Sequence, residues 1–232
     1  MIRNILFFLF FAPVTALASL TCILCKPLAI WASQAWARCT IWLIRMPLEV
    51  DFSALDPEQT YVFMVNHQSQ LDIPLMTAIL APRKVNFVAK DSLFKIPLFG
   101  QAITAVGHIS IDRSNPRSAM KSIEVAVQRA QSGRSILIFP EGTRAEEFDK
   151  LQDFKIGGMI LALKTGLPVA PIVLSGTGTV LPKHRLLLRP AVLKVRALPP
   201  IDTGKYTMKD REAFKDDLYQ MMNDAYLEQH SD

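Results

Sequence analysis

From Ile5 to Cys25 the chain carries no charged residue, and Arg3 and Lys26 bracket the run. A helix rises about 1.5 Å per residue, so such a run reaches roughly 30 Å, the hydrocarbon thickness of a bilayer. A soluble fold has few places to bury so long an uncharged rod. The run therefore predicts a helix that spans or re-enters a membrane. Pro13 lies inside it and removes a helical hydrogen bond, which keeps re-entry open. Ala16-Leu17-Ala18 has the form of a signal-cleavage site. Against cleavage, the next segment is membrane-seeking too. Leu28 to Arg45 holds Trp31, Trp36 and Trp42, all the tryptophans of the chain, while Gln34, Arg38 and Arg45 share one helical face. That pattern reads as an amphipathic helix in the interface, its indoles at headgroup depth. Pro27 separates the two segments and Pro47 closes the second. Residues 1–47 are thus expected to form a retained two-helix membrane anchor, and residues 48–232 the functional domain. Lys26, Arg38 and Arg45 lie on the domain side of the run. The positive-inside rule then puts the domain on the cytoplasmic face, at the inner membrane if the source is bacterial.

Beyond Pro47 short apolar runs alternate with helical patterns. Tyr61–Val65, Val85–Ala89, His108–Ile111, Ser135–Phe139, Pro168–Leu174 and Ala191–Ala197 read as strands. Helices are expected over Leu75–Leu80, from Asn115-Pro116 to a left-handed cap at Gly133, over Phe154–Lys164 ending at Gly166, and over Met208–Glu228. The expected class is α/β: a mostly parallel sheet flanked by helices.

The net charge is +5. A basic balance fits nucleic acid, an anionic membrane surface or an acidic substrate. Between Phe154 and Ile201 there is no Asp or Glu, only Lys155, Lys164, Lys183, Arg185, Arg189, Lys194 and Arg196. No RNP-like aromatic pattern, zinc-finger spacing or basic helix accompanies these cations, so no nucleic-acid partner is expected. Cys22 and Cys25 form a C-x-x-C without a second pair or a nearby histidine. They and Cys39 read as small apolar residues, with no disulfide and no metal site.

The chemistry-bearing residues fall in two blocks. In Asn66-His67-Gln68-Ser69-Gln70-Leu71-Asp72 a histidine at a strand end precedes a carboxylate by five residues. Histidine is suited to take a proton from a hydroxyl near neutral pH, and a carboxylate on its other ring nitrogen fixes the tautomer. The competing reading is a capping box, Ser69 to Asp72, in which Asp72 only starts a helix. In Phe139-Pro140-Glu141-Gly142-Thr143-Arg144 a strand ends in a glycine turn with an arginine able to bind phosphate bidentately. Arg113, after Ile109-Ser110-Ile111-Asp112, is a second arginine at a strand end.

These blocks resemble the glycerolipid acyltransferase family. Asn66 to Asp72 matches its N-H-x-S-x-x-D block, Ile109 to Arg113 its arginine-bearing block, and residues 139–144 its F-P-E-G-T-R block. Leu167-Pro168-Val169-Ala170-Pro171-Ile172 matches the proline-centred fourth block, with Leu167 and Ala170 where β-branched residues are commoner. The resemblance covers residues 66 to 172 in order and spacing. It implies transfer of a fatty acyl group from a thioester, on coenzyme A or acyl carrier protein, to the sn-2 hydroxyl of lysophosphatidate in a membrane, with no bound cofactor. It implies His67 as general base and Asp72 as its orienter. Arg113, Glu141, Gly142, Thr143 and Arg144 fall in the phosphate site, Glu141 orienting Arg144 or the acceptor. Lys90 and Lys155 are further candidate phosphate partners by charge and position, and the fourth block is expected along the acyl channel. Other lyso-lipid acceptors (a lysophospholipid or a lyso-amino-acid lipid) and a non-catalytic anionic-lipid binder are the alternatives; the intact His67 and Asp72 argue against the last.

Overall fold

The apolar runs become the middle of one sheet. The computed structural model describes residues 2–112, 114–185 and 187–231. Among these the strands are β1 (Leu48–Asp51), β2 (Val62–Val65), β3 (Val85–Lys90), β4 (Ile109–Ile111), β5 (Ser135–Ile138), β6 (Val169–Ser175) and β7 (Leu193–Ala197). They lie in the order β1-β7-β6-β2-β5-β3-β4. The five from β6 to β4 run parallel; β7 returns antiparallel to β6, and β1 pairs parallel with β7. The α/β class and the mostly parallel sheet match the expectation.

The central strands are unbroken hydrophobic runs because both faces are covered. Val62 and Met64 of β2 enter one core, Phe63 and Val65 the other. The first core is closed by α6 (Pro116–Gln131), α7 (Gly157–Thr165) and α9 (Arg211–Ser231). The second lies under α3 (Asp72–Ile79) and the N-terminal helices α1 (Ile2–Leu24) and α2 (Ala29–Ile44). Two short helices, α4 (Asp91–Phe94) and α5 (Phe99–Val106), follow β3, and α8 (Thr177–Val180) follows β6. Asn115 caps α6 as expected: its side-chain oxygen accepts from the N–H groups of Arg117 and Ser118.

Both predicted N-terminal helices form. Phe7 and Ile44 are buried in the second core, and Gln34 Nε2 donates to Ala81 O just past α3. Trp36 Nε1 donates to Thr15 Oγ1, which joins α2 to α1. The outer faces stay apolar and uncovered, with Leu9, Phe10, Leu17, Leu20, Leu24, Trp31 and Trp42 exposed. Among the described residues only α1 is long and apolar enough to cross a membrane.

The strand order positions the site. The connection leaving β2 passes through α3 to β3 on one side, and the connection leaving β5 passes through α7 to β6 on the other. The winding direction therefore switches between neighbours β2 and β5. In open α/β sheets a crevice for ligands opens at the carboxyl ends of the strands at such a point.

Candidate active site

His67 follows β2 at the switch point, and residues 139–144 follow β5 beside it. His67 Nδ1 lies 2.7 Å from Asp72 Oδ2. The same oxygen accepts the backbone N–H groups of Gln68 at 2.7 Å and Ser69 at 2.9 Å. Asp72 is fully buried. The loop thus wraps around one carboxylate oxygen, which holds Nδ1–H toward Asp72 and leaves Nε2 as the free basic nitrogen. Asp72 also opens α3, and elements of the capping box form: Ser69 Oγ accepts from Leu71 N at 3.3 Å while donating to Leu181 O at 2.7 Å, and Asp72 Oδ2 accepts from Ser69 N. Asp72 thus braces the start of α3 and holds His67 Nδ1 with the same oxygen.

The turn after β5 grips His67 on three sides. The Phe139 ring stacks on the imidazole, centroids 4.0 Å apart and 16° from parallel. Ala145 N donates to His67 O at 2.8 Å. Glu141 Oε1 accepts from His67 N at 2.9 Å, and Glu141 Oε2 from Gln152 Nε2 at 2.7 Å. Glu141 therefore departs from the expectation that it orients Arg144: its carboxylate turns inward to the His67 backbone. The physical reason is that two donors, the His67 backbone N–H and the Gln152 amide, meet its two oxygens there, as a buried carboxylate requires. Burial pushes its carboxyl from the usual 4.5 up to about 7, opposed by the hydrogen bonds from His67 and Gln152 and aided by the charge on Asp72.

Gly142 takes φ +78 at the tip of this turn, its N–H donating to Phe139 O at 3.1 Å. Thr143 is exposed and Arg144 half-buried. Lys155 is exposed, and its N–H is tied to Pro140 O at 2.8 Å, so it emerges beside the same turn. Lys90 ends β3, next to β5 in the sheet, and is exposed. Its register partner on β4 is Ile111, two residues before Arg113; Arg113 itself lies outside the described residues. Among the described residues no cluster of His, Cys, Asp or Glu could hold a metal ion.

Two framing interactions had no sequence signal. Asn66 continues the β2–β6 ladder with its side chain: Nδ2 donates to Leu174 O at 2.9 Å and Oδ1 accepts from Leu174 N at 2.8 Å. Gln68 Nε2 donates to the Tyr226 hydroxyl at 2.7 Å, and that hydroxyl donates to Phe148 O at 2.9 Å, so α9 braces the His67 loop. Val169–Ile172 of the fourth block are buried in β6. An apolar cavity of about 90 Å³ lies between Thr15, Cys22, Trp36, Ile73, Phe87 and Phe99 among others.

The sequence profile of the acyltransferase family matches residues 48–175. The 1-acyl-sn-glycerol-3-phosphate acyltransferase of Limnanthes alba is 36% identical over 188 residues, 81% of this chain and 64% of its own. The chain thus spans less than two thirds of that relative's length. The protein of the same description from Saccharomyces cerevisiae is 30% identical over 221 residues, covering 91% of this chain and 71% of its own. A crystal structure of the 1-acyl-sn-glycerophosphate (LPA) acyltransferase from Thermotoga maritima superposes with a TM-score of 0.81 at 21% identity, covering 100% of this chain and 96% of that one, a likeness of fold.

Proposed function

The chain belongs to the acyltransferase family, and from that premise we propose that it moves a fatty acyl group from a thioester to the sn-2 hydroxyl of lysophosphatidate, giving phosphatidate. The observation that carries the reading is the His67–Asp72 pair, held at 2.7 Å beside the turn that bears Arg144. His67 Nε2 takes the hydroxyl proton as the oxygen attacks the thioester carbonyl. The C–S bond breaks as the new C–O bond is completed, and the thiolate leaves with the proton from His67. Asp72 stabilises the imidazolium in between. Direct attack with both substrates bound needs no acyl-enzyme, and Ser69, the nearest hydroxyl in the motif, is occupied with Leu181 O.

Arg144, Thr143, Arg113, Lys90 and Lys155 are assigned to the acceptor's phosphate, Gly142 to the turn that presents Thr143 and Arg144, and Glu141 to the positioning of His67. The carrier of the thioester is coenzyme A or acyl carrier protein. Ile73, next to Asp72, lines the apolar cavity, which points to that cavity as the start of the acyl path. Residues 1–47 are assigned to the bilayer surface through the uncovered outer faces of α1 and α2, with residues 48–232 as the acyltransferase domain on the cytoplasmic side. The test is turnover by the purified full chain in vesicles, with both carriers and a panel of lyso-lipids. Lysophosphatidate should be converted fastest. No conversion with either carrier, or equal conversion of a lyso-lipid without a phosphate monoester, overturns the assignment.

A further inference from the structure

Beside Gln70 opens a polar cavity of about 200 Å³, walled by Gln70, Arg144, Leu181, Pro182, His184 and Arg185. Gln70 and Arg144 belong to the two catalytic blocks. The other four belong to the basic stretch after α8, beyond the reach of the four family blocks. The position of this stretch is fixed by the site itself. The Ser69 hydroxyl, buried in the His67 loop, holds the Leu181 carbonyl at 2.7 Å. Arg185 N donates to Pro182 O at 3.2 Å, which closes a turn. Within that turn His184 sits at φ +63, a left-handed conformation that is uncommon for a residue with a Cβ and persists where the surroundings impose it. Lys183 Nζ pairs with Glu146 Oε1 at 2.7 Å, which ties the stretch to the loop that follows Arg144 and neutralises Lys183. Among the described residues neither Arg144 nor Arg185 has an acidic partner. Two guanidinium groups lining one cavity repel each other until an anion enters between them, and a phosphate is the anion their planar forks fit best.

We propose that Arg185, from outside the family blocks, completes with Arg144 a clamp on the phosphate monoester of the acceptor lipid. The inference rests on the lysophosphatidate reading. The phosphates of coenzyme A offer the same chemistry, but the geometry favours the acceptor. Gln70 belongs to the His67 loop, and Arg144 precedes Ala145, whose N–H donates to His67 O, so the cavity lies at the edge of the His67 site. In lysophosphatidate the reacting hydroxyl and the phosphate are joined through two carbons. In coenzyme A the whole pantetheine arm separates the thioester from the phosphates.

Steady-state kinetics of the full chain in vesicles test the clamp. Arg185→Ala should raise KM for lysophosphatidate about tenfold or more, the loss of one charge-assisted hydrogen bond, with KM for the thioester and the melting temperature unchanged. Arg185→Lys keeps the charge without the fork and should fall between. Arg189→Ala removes an equal charge from the same exposed segment, off the cavity, and should shift KM less than about twofold, the range of an exposed charge. Should Arg185→Ala fail to fold, Arg185→Gln carries the same comparison. An unchanged KM in a folded variant overturns the clamp. So does an equal rise in the Arg185 and Arg189 variants, which indicates diffuse attraction to an anionic surface, or a rise confined to the thioester. If the unaltered chain does not acylate lysophosphatidate, the proposed function falls and the clamp with it; if it does and Arg185→Ala matches it, only the clamp falls.

Discussion

Glu141 accepts a hydrogen bond from the backbone N–H of His67 across 74 residues of sequence. The carboxylate of the turn after β5 and the base after β2 are thereby one unit. A buried acid whose carboxyl titrates near 7 makes that unit sensitive to pH.

For Glu141 the folded carboxyl sits above its ordinary 4.5. Between 4.5 and about 7 the folded state therefore binds more protons than the unfolded state. Its contribution to stability is complete below the lower value and is lost as pH rises through the upper one. The melting temperature of the parent should fall across this window, and Glu141→Gln, which cannot ionise, should flatten the fall. A parent curve identical to that of the variant would place the Glu141 carboxyl in its usual range.

His67→Ala should lower kcat by about 10²–10⁴, the usual worth of a general base, with vesicle binding retained. Asp72→Asn presents an amide where Nδ1–H and two backbone N–H groups converge, so it should cost rate through the wrong tautomer and also lower the melting temperature. A variant at Asp72 that is destabilised yet keeps full kcat would make that residue a loop brace.

Tyr226→Phe removes the acceptor for Gln68 Nε2 and the donor to Phe148 O. We expect about 1–3 kcal/mol of lost stability by chemical denaturation, because the Gln68 amide stays buried. We also expect a fall in kcat with KM little changed. A change in KM alone would indicate that α9 acts on substrate binding instead.

Arg144→Ala should weaken lysophosphatidate binding by roughly 1.5–3 kcal/mol, while a lyso-lipid without phosphate is unaffected. Equal losses on both, measured by competition kinetics, would assign Arg144 to the fold.

Trp31 and Trp42 are exposed on α2, and Leu17 on α1. Replacing all three by Ser should release the protein from vesicles in a sedimentation assay at high salt, with its melting temperature held. Deleting residues 1–47 is a different experiment, since it strips Phe7 and Ile44 from the second core and should yield aggregate. Retention of the triple variant at high salt would shift the attachment to the basic stretch, where salt would then strip it.

Legibility followed sequence distance and burial. β2, β5 and β6 are unbroken apolar runs and were readable as strands. β1 was not, because Leu48–Asp51 is a four-residue exposed edge with two acids. α5 was not, because Pro97 precedes it and Gly100 lies within it. Gly100 is required there, since a Cβ would fall 2.1 Å from Phe94 O. α7 starts at Gly157 and not at Phe154, because Gly158 N donates to Lys155 O, three residues back, where a helix from Phe154 would need the Phe154 carbonyl. His67 and Asp72 were readable because only the four residues from Gln68 to Leu71 join them. The inward turn of Glu141 and the brace from Tyr226 were not, because their partners are distant in sequence and only the sheet order brings them together.

One short helix links the membrane-seeking hairpin to the chemistry. α3 begins with Asp72, and the chain just past its end is held by Gln34 of α2 through the Ala81 carbonyl. Eight residues of helix make a rod of about 12 Å. On the proposed placement of α2 at a lipid surface, that rod would act as a gauge, setting by its length how far His67 stands from the proposed lipid acceptor.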